Sequence, residues 1–309
     1  METTSLTYHG QPLDTSPDCF GELRSSDDAL SNTDELRRRF DEEGYLYLPG
    51  LLDKETLLAA RTKMLESLAE LDFIDLTNPL QDGVAKEEVK VSAQRMKDLS
   101  KGNEPLHDVL YGGPMIAFYE RFLGGPVSPL DFTWCRVKSS AALSATAPHY
   151  DVVFMGRGTK KLHTSWTPLG DVPKEMGGLM ILENSHRQEE IKATYGQLDV
   201  DVYCTNYPDV AEIESGRKNW QREGGGSYTK DAIGLQQELR SRWLTTDYQL
   251  GDLLIFSMYT MHASMDNQTN RLRLSTDTRY QLVSERIDER WIGKNPIGHG
   301  SEAKIGMIC

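Results

Sequence analysis

Three side chains suited to holding a divalent metal stand out before any overall shape is considered. In Pro148-His149-Tyr150-Asp151 a histidine and an aspartate stand two residues apart. On an extended strand, side chains at i and i+2 point to one face, so His149 and Asp151 are expected to converge while Tyr150 faces away. A second β-type run, Gly251–Ser257, leads to His262. Two neutral imidazoles and one carboxylate make a facial triad that leaves coordination positions open, which suits Fe(II). Taken singly the signals are weak: an HxD pair is commonly a polar strand end, and a lone histidine a satisfied core residue. A further element follows His262. Arg271, Arg273, Ser275, Asp277 and Arg279 fall on one face of a strand, with Leu272, Leu274 and Tyr280 on the other. A guanidinium fork holds a carboxylate through two parallel hydrogen bonds and cannot shed its charge. Alternation does not choose among the three arginines, and a solvent-exposed strand with paired charges has the same pattern.

These residues need elements to position them. Residues 1–30 are polar and aperiodic and read as an irregular N-terminal arm. Asn32 and Glu35 form a capping box opening a helix to about Glu43, with Gly44 as its stop. Tyr45–Leu48 reads as a short strand. Asp53 caps a second helix whose Leu57, Met64, Leu65, Leu68 and Leu71 recur at helical spacing. Pro114 and Gly124 bracket a third helix, Met115–Leu123. From Asp131 the character becomes β-type: Phe132–Lys138, His149–Met155, Leu162–Leu169, Gly178–Leu182, Asp252–Met258 and Leu272–Leu282. Helices first and short strands after them predict a mainly β fold with flanking helices, an antiparallel barrel or jelly roll. The expected organisation is one domain over 31–309. It has a helical layer at 31–125, a β core at 130–283, and an insertion at 187–248 between barrel strands. That insertion reads as a lid or an oligomer contact.

Composition narrows the partners. With 34 Lys+Arg against 47 Asp+Glu, the net charge of the 309-residue chain is −13. That argues against nucleic acid or an anionic membrane surface, while leaving room for a small anion in a local basic pocket. A hydrophobic content of 38% is too high for wholesale disorder. The N-terminus has no basic and apolar signal pattern, and no apolar run is long enough to span a bilayer. Cys19, Cys135, Cys204 and Cys309 form no CxxC, and four reduced thiols in a cytoplasmic protein are expected.

Together, His149-Tyr-Asp151, WTPLGD at 166–171, GGLMILENSHR at 177–187, GDLLIFSMYTMHAS at 251–264 and Arg273 resemble the phytanoyl-CoA dioxygenase family. GYLYLPGLLD at 44–53 resembles its N-terminal region, so the likeness runs over about 33–283. One departure is Glu183-Asn184, where the family commonly has Pro-Gly; Asn tolerates the turn conformation, so the effect is expected to be local. The resemblance implies a double-stranded β-helix, a cupin-like jelly-roll barrel. It implies an Fe(II)- and 2-oxoglutarate-dependent dioxygenase using O2. His149, Asp151 and His262 would be the iron ligands, and Arg273 the partner of the far carboxylate of 2-oxoglutarate. Ser264 would add a hydroxyl donor there, and Trp166 and, more weakly, Trp134 would line the cosubstrate pocket. Arg271 would sit at the rim and Arg279 would pair with Asp277. His186 would be a turn residue. The implied reaction releases succinate and CO2 and hydroxylates an unactivated C–H bond of a small molecule. Desaturation, demethylation and ring formation share the same oxidising step. Related halogenases lack the carboxylate, so Asp151 argues against halogenation. The rival readings are a catalytically silent jelly-roll ligand-binding protein and a cupin-type metalloenzyme that does not use 2-oxoglutarate and needs no Arg273.

Overall fold

The computed structural model describes residues 5–86, 98–140, 144–214 and 226–309. Trp220, Gly224 and Gly225 of the expected insertion lie outside them. The first helix forms as its caps require. The Asn32 side chain accepts from the Glu35 amide, α1 runs Thr33–Glu43, and Gly44 ends it in the left-handed region at φ 77°. The chain then enters β4, Tyr45–Leu48. Asp53 caps α2, Lys54–Glu70, which buries Leu57, Ala60, Met64, Leu65 and Leu68. Two more helices, α3 (Glu104–Tyr111) and α4 (Gly113–Leu123), complete this layer.

The β core is two facing sheets. One has the order β3 (Phe20–Glu22), β11 (Trp243–Thr245), β9 (Leu179–Leu182), β13 (His262–Ser264), β7 (Thr146–His149). The other has β4, β12 (Leu253–Ser257), β8 (His163–Pro168), β14 (Arg273–Leu282), β5 (Val127–Pro129), with β6 (Trp134–Lys138) also paired to β14. Pairing is antiparallel throughout these two sheets except between β3 and β11. This is the expected double-stranded β-helix, mainly β with flanking helices. The outer face of the second sheet presents Leu46, Leu48, Leu253, Ile255, Leu272, Leu274 and Tyr280 to the helices, in one core with Leu57, Met64 and Phe118. Tyr119 of α4 stacks on Tyr280 at 4.1 Å between ring centroids. The inner face carries the odd-numbered residues of β14, so strand alternation sorts apolar from charged side chains as the sequence pattern predicts.

Four expectations are corrected. The N-terminal arm is not irregular throughout. Strands β1 (Thr7–Tyr8) and β2 (Gln11–Pro12) form a hairpin, and β3 occupies the edge of the first sheet beside β11. Tyr8, Leu13 and Phe20 are buried there, which anchors a segment whose composition alone looks polar. The predicted strand His149–Met155 ends at His149. Asp151 is helical (φ −65°, ψ −26°) and opens the short helix α5, Val152–Met155. The segment 187–248 ends in a core strand, β11, whose three residues are too few to show periodicity. Cys204 and Cys309 are not free thiols: they form a disulfide, with Cα atoms 5.6 Å apart. Parallel pairing of β10 (Val202–Cys204) with β15 (Ile305–Met307) brings them together from 105 residues apart, a closeness no local spacing reveals. Cys19 and Cys135 are free. Among the described residues no helix is long and apolar enough to cross a membrane.

Candidate active site

The two histidines meet because their strands pair in register. β7 runs beside β13 with His149 directly opposite His262, and their rings lie 4.1 Å apart. Each ring has its Nδ1 against a backbone carbonyl, Ala147 O at 2.8 Å and Thr260 O at 3.0 Å. A carbonyl only accepts, so Nδ1 carries the proton and Nε2 keeps its lone pair. Both Nε2 atoms face Asp151 Oδ1, at 3.8 Å and 3.7 Å. The three ligand atoms lie within 4.8 Å of one another, a spacing that a single cation can bridge. Asp151 reaches this point by turning into α5 rather than by alternation along a strand; Tyr150, as expected, faces away and donates to Ser185 O.

Electrostatics suit these groups to a metal. Burial pushes the His149 imidazole down to about 3, with His262 adding to the effect. His262 is likewise lowered by burial. Both rings are therefore neutral ligands at ordinary pH. Burial opposes a charged Asp151, but Arg279 and the Thr164 hydroxyl favour it and hold the carboxyl below its usual range. Thr164 donates to Asp151 Oδ2, and Arg279 Nη2 lies 3.0 Å from the same oxygen.

Also buried is Arg273, 5% exposed, with its Nη1 donating to Ser275 and its Nε unpartnered. Among the described residues no carboxylate lies within ion-pair distance of it. Burial lowers its pKa to about 10, yet it remains charged at neutral pH. Lys138 sits directly opposite Arg273 in register and is also buried. Its Nζ donates to Ser264 Oγ at 2.6 Å and to Met265 O at 2.7 Å. Burial, and then the neighbouring Arg273, push that ammonium well below its usual range. Ser264 Oγ also accepts from the Thr146 amide, so its own O–H is left to donate. Trp166 is buried, with the Arg273 guanidinium 5.8 Å from its ring.

Sequence reasoning thus selected His149, Asp151, His262, Arg273, Ser264, Trp166 and Trp134, and all seven face the space between the sheets. It missed Lys138, Arg136 and Thr164, although Trp134, Arg136 and Lys138 alternate on β6 and could have been read as one inward face. It also misassigned Arg279. Asp277 pairs instead with Arg136 at 2.8 Å, and Arg279 lies over Trp134, 3.9 Å from the ring centroid, reaching Asp151. Arg271 is at the rim as expected, half-exposed and 3.6 Å from Asp82. Asn184 adopts the left-handed turn (φ 57°) that its place in the Glu183-Asn184 departure requires, and His186 follows in that turn.

Residues 40–275 match the sequence profile of the family described as Phytanoyl-CoA dioxygenase (PhyH). The chain is 29% identical over 264 residues to 1-deoxypentalenic acid 11-beta-hydroxylase of Streptomyces exfoliatus, covering 82% of this chain and 83% of that one. Among solved structures, the non-heme alpha-ketoglutarate-dependent carbocyclase SnoK from nogalamycin biosynthesis aligns with a TM-score of 0.55 at 19% identity, covering 84% of this chain and 87% of that one. The epimerase SnoN in complex with Fe3+, alpha-ketoglutarate and nogalamycin RO aligns at 0.51 with 21% identity, covering 86% and 93%. These two share the fold.

Proposed function

The chain belongs to the phytanoyl-CoA dioxygenase family, and from that premise we propose how its own residues divide the work of a non-haem Fe(II)- and 2-oxoglutarate-dependent oxygenase. His149, Asp151 and His262 would hold the iron. Bound iron supplies the O2 chemistry that turns 2-oxoglutarate into succinate and CO2 and oxidises a C–H bond of the substrate. Arg273 binds the far carboxylate of 2-oxoglutarate, Ser264 donates its hydroxyl to the same group, and Lys138 orients Ser264. Trp166 and Trp134 wall the cosubstrate and exclude water. The observation that carries this reading is the pairing of a three-ligand cluster with a buried arginine that has no acidic partner. A silent binding protein gains nothing from that pairing, and a cupin that does not use 2-oxoglutarate has no need of Arg273.

The substrate is a small molecule. The curated relative is named for hydroxylation of an organic acid, which supports hydroxylation as the outcome here. Within the 187–248 segment, the stretch around Ser227 and Tyr228 serves as a lid: Ser227 lines the cavity beside the triad, and the Tyr228 amide donates to Pro148 O next to His149. The test is anaerobic loading with Fe(II) and 2-oxoglutarate, admission of O2, and measurement of succinate. His149→Ala and His262→Ala should each abolish succinate release while leaving the thermal transition near that of the wild type. Near wild-type succinate from either variant would refute the ligand assignment.

A further inference from the structure

Arg279 is 2% exposed and lines a cavity of about 330 Å³ that also reaches His149, Asp151 and Arg136. Its guanidinium is pinned on one face by Trp134 and on one corner by Asp151. Two of its nitrogens, Nη1 and Nε, are buried with no hydrogen-bond partner. A guanidinium keeps its charge in any protein setting, so these donors cannot be silenced by deprotonation. Nor can Asp151 satisfy them. Its Oδ1 faces the two imidazoles and its Oδ2 already accepts from Thr164 and Arg279. The neighbouring Asp277 is matched by Arg136. Once a divalent cation sits in the triad, the charge around Asp151 becomes more positive, and among the described residues no carboxylate besides Asp151 lines the cavity. Buried polar groups are ordinarily paired, so the missing partner is a ligand.

We infer that Arg279 is a carboxylate-binding residue of this cavity, holding an organic acid beside the metal while its remaining corner fixes Asp151. The inference rests on the oxygenase reading above. Two sources could bring that group: the metal-side carboxylate of 2-oxoglutarate, or an acid on the substrate. Arg279 differs from Arg273 in position. The two are six residues apart on β14, roughly 20 Å along an extended strand, so they serve different groups.

The test uses the full chain loaded with Mn(II), which accepts the same ligand types. Ligand binding is read from tryptophan fluorescence, since Trp134 lies under Arg279 and Trp166 beside Arg273. Two probes are titrated into the wild type, Arg279→Gln and Arg279→Lys: 2-oxoglutarate alone, and cyclohexanecarboxylate with 2-oxoglutarate saturating. Mn(II) affinity and the thermal transition are measured for each variant. A rise of about tenfold or more in the Kd of 2-oxoglutarate for Arg279→Gln, partly restored in Arg279→Lys, supports the inference and assigns the group to the cosubstrate. The same loss confined to cyclohexanecarboxylate supports it and assigns the group to the substrate. If Mn(II) affinity falls while 2-oxoglutarate binding is unchanged and no arginine-dependent binding of the monocarboxylate is seen, Arg279 only orients Asp151 and the inference is overturned. Arg273→Gln is run in parallel. Unchanged 2-oxoglutarate binding in that variant would instead overturn the parent reading.

Discussion

Arg273 and Thr164 act on opposite ends of the site, and single substitutions separate them. Loss of a buried, charge-assisted carboxylate pair costs about 2–5 kcal/mol, so Arg273→Gln should raise the apparent KM for 2-oxoglutarate roughly thirtyfold or more. Arg271→Gln, at the exposed rim beside Asp82, should leave it nearly unchanged. Thr164 is buried and orients Asp151 through a hydrogen bond. Groups supporting a metal ligand in this way typically govern about 10–100-fold of metal affinity. Thr164→Val should therefore weaken Mn(II) or Fe(II) binding by that order, with little change in 2-oxoglutarate affinity at saturating metal. A third residue gives a pH signature. His163 is wedged among Phe40, Tyr119 and Phe122, and burial lowers its pKa to about 4. Unfolded, it takes a proton near pH 6.5. Between those values the unfolded chain binds the extra proton, so stability is present above about 6.5 and declines as pH falls towards 4. The decline is at most about 1.4 kcal/mol per pH unit. Denaturant titrations of the apo protein at stepped pH should show a shallower acid limb in His163→Leu.

Gly44 joins α1 to β4, and its replacement tests how elements are aligned. It has φ 77°, and a Cβ there would come within 2.5 Å of the His186 ring. Gly44→Ala therefore combines a strained backbone with a clash, and should cost more than about 1 kcal/mol. Asn32→Ala, removing only the cap of the same helix, should cost about 1 kcal/mol; both are read from urea midpoints. These boundaries were legible in the sequence because caps and left-handed stops are local chemistry. So was the inward face of β14, because a ten-residue strand shows its alternation. The His149–Asp151 pair was legible as a site but not as a shape. Its convergence depends on a turn into α5, which carries no signal beyond the HxD spacing. β11 and β3, three residues each, fall below the length at which period two can be seen. Arg279 was misread because its partner depends on which strand faces β14 across the lumen. Asp277 is the nearer choice in sequence, while Asp151 is the nearer one in space.

At the scale of the molecule, an acidic exterior encloses a basic interior. The net charge is −13, yet Lys138, Arg273 and Arg279 are buried on β6 and β14, with Arg136 half-exposed at the cavity beside them. A dianion such as 2-oxoglutarate is repelled at long range and attracted only after entry. Salt screens the long-range part first, with a Debye length of about 10 Å at 0.1 M. Stopped-flow association of 2-oxoglutarate should therefore quicken as ionic strength rises from about 10 to 150 mM; slowing over that range would mean that the mouth, not the exterior, governs approach. The parallel pairing of β3 with β11 has a consequence for biosynthesis. Phe20–Glu22 leaves the ribosome well before its partner Trp243–Thr245, which emerges roughly 220 residues later. At roughly 5–20 residues per second, that is an interval of about 10–45 seconds. Throughout it, the nascent chain carries an unpartnered strand that only the late-made half of the protein can cover.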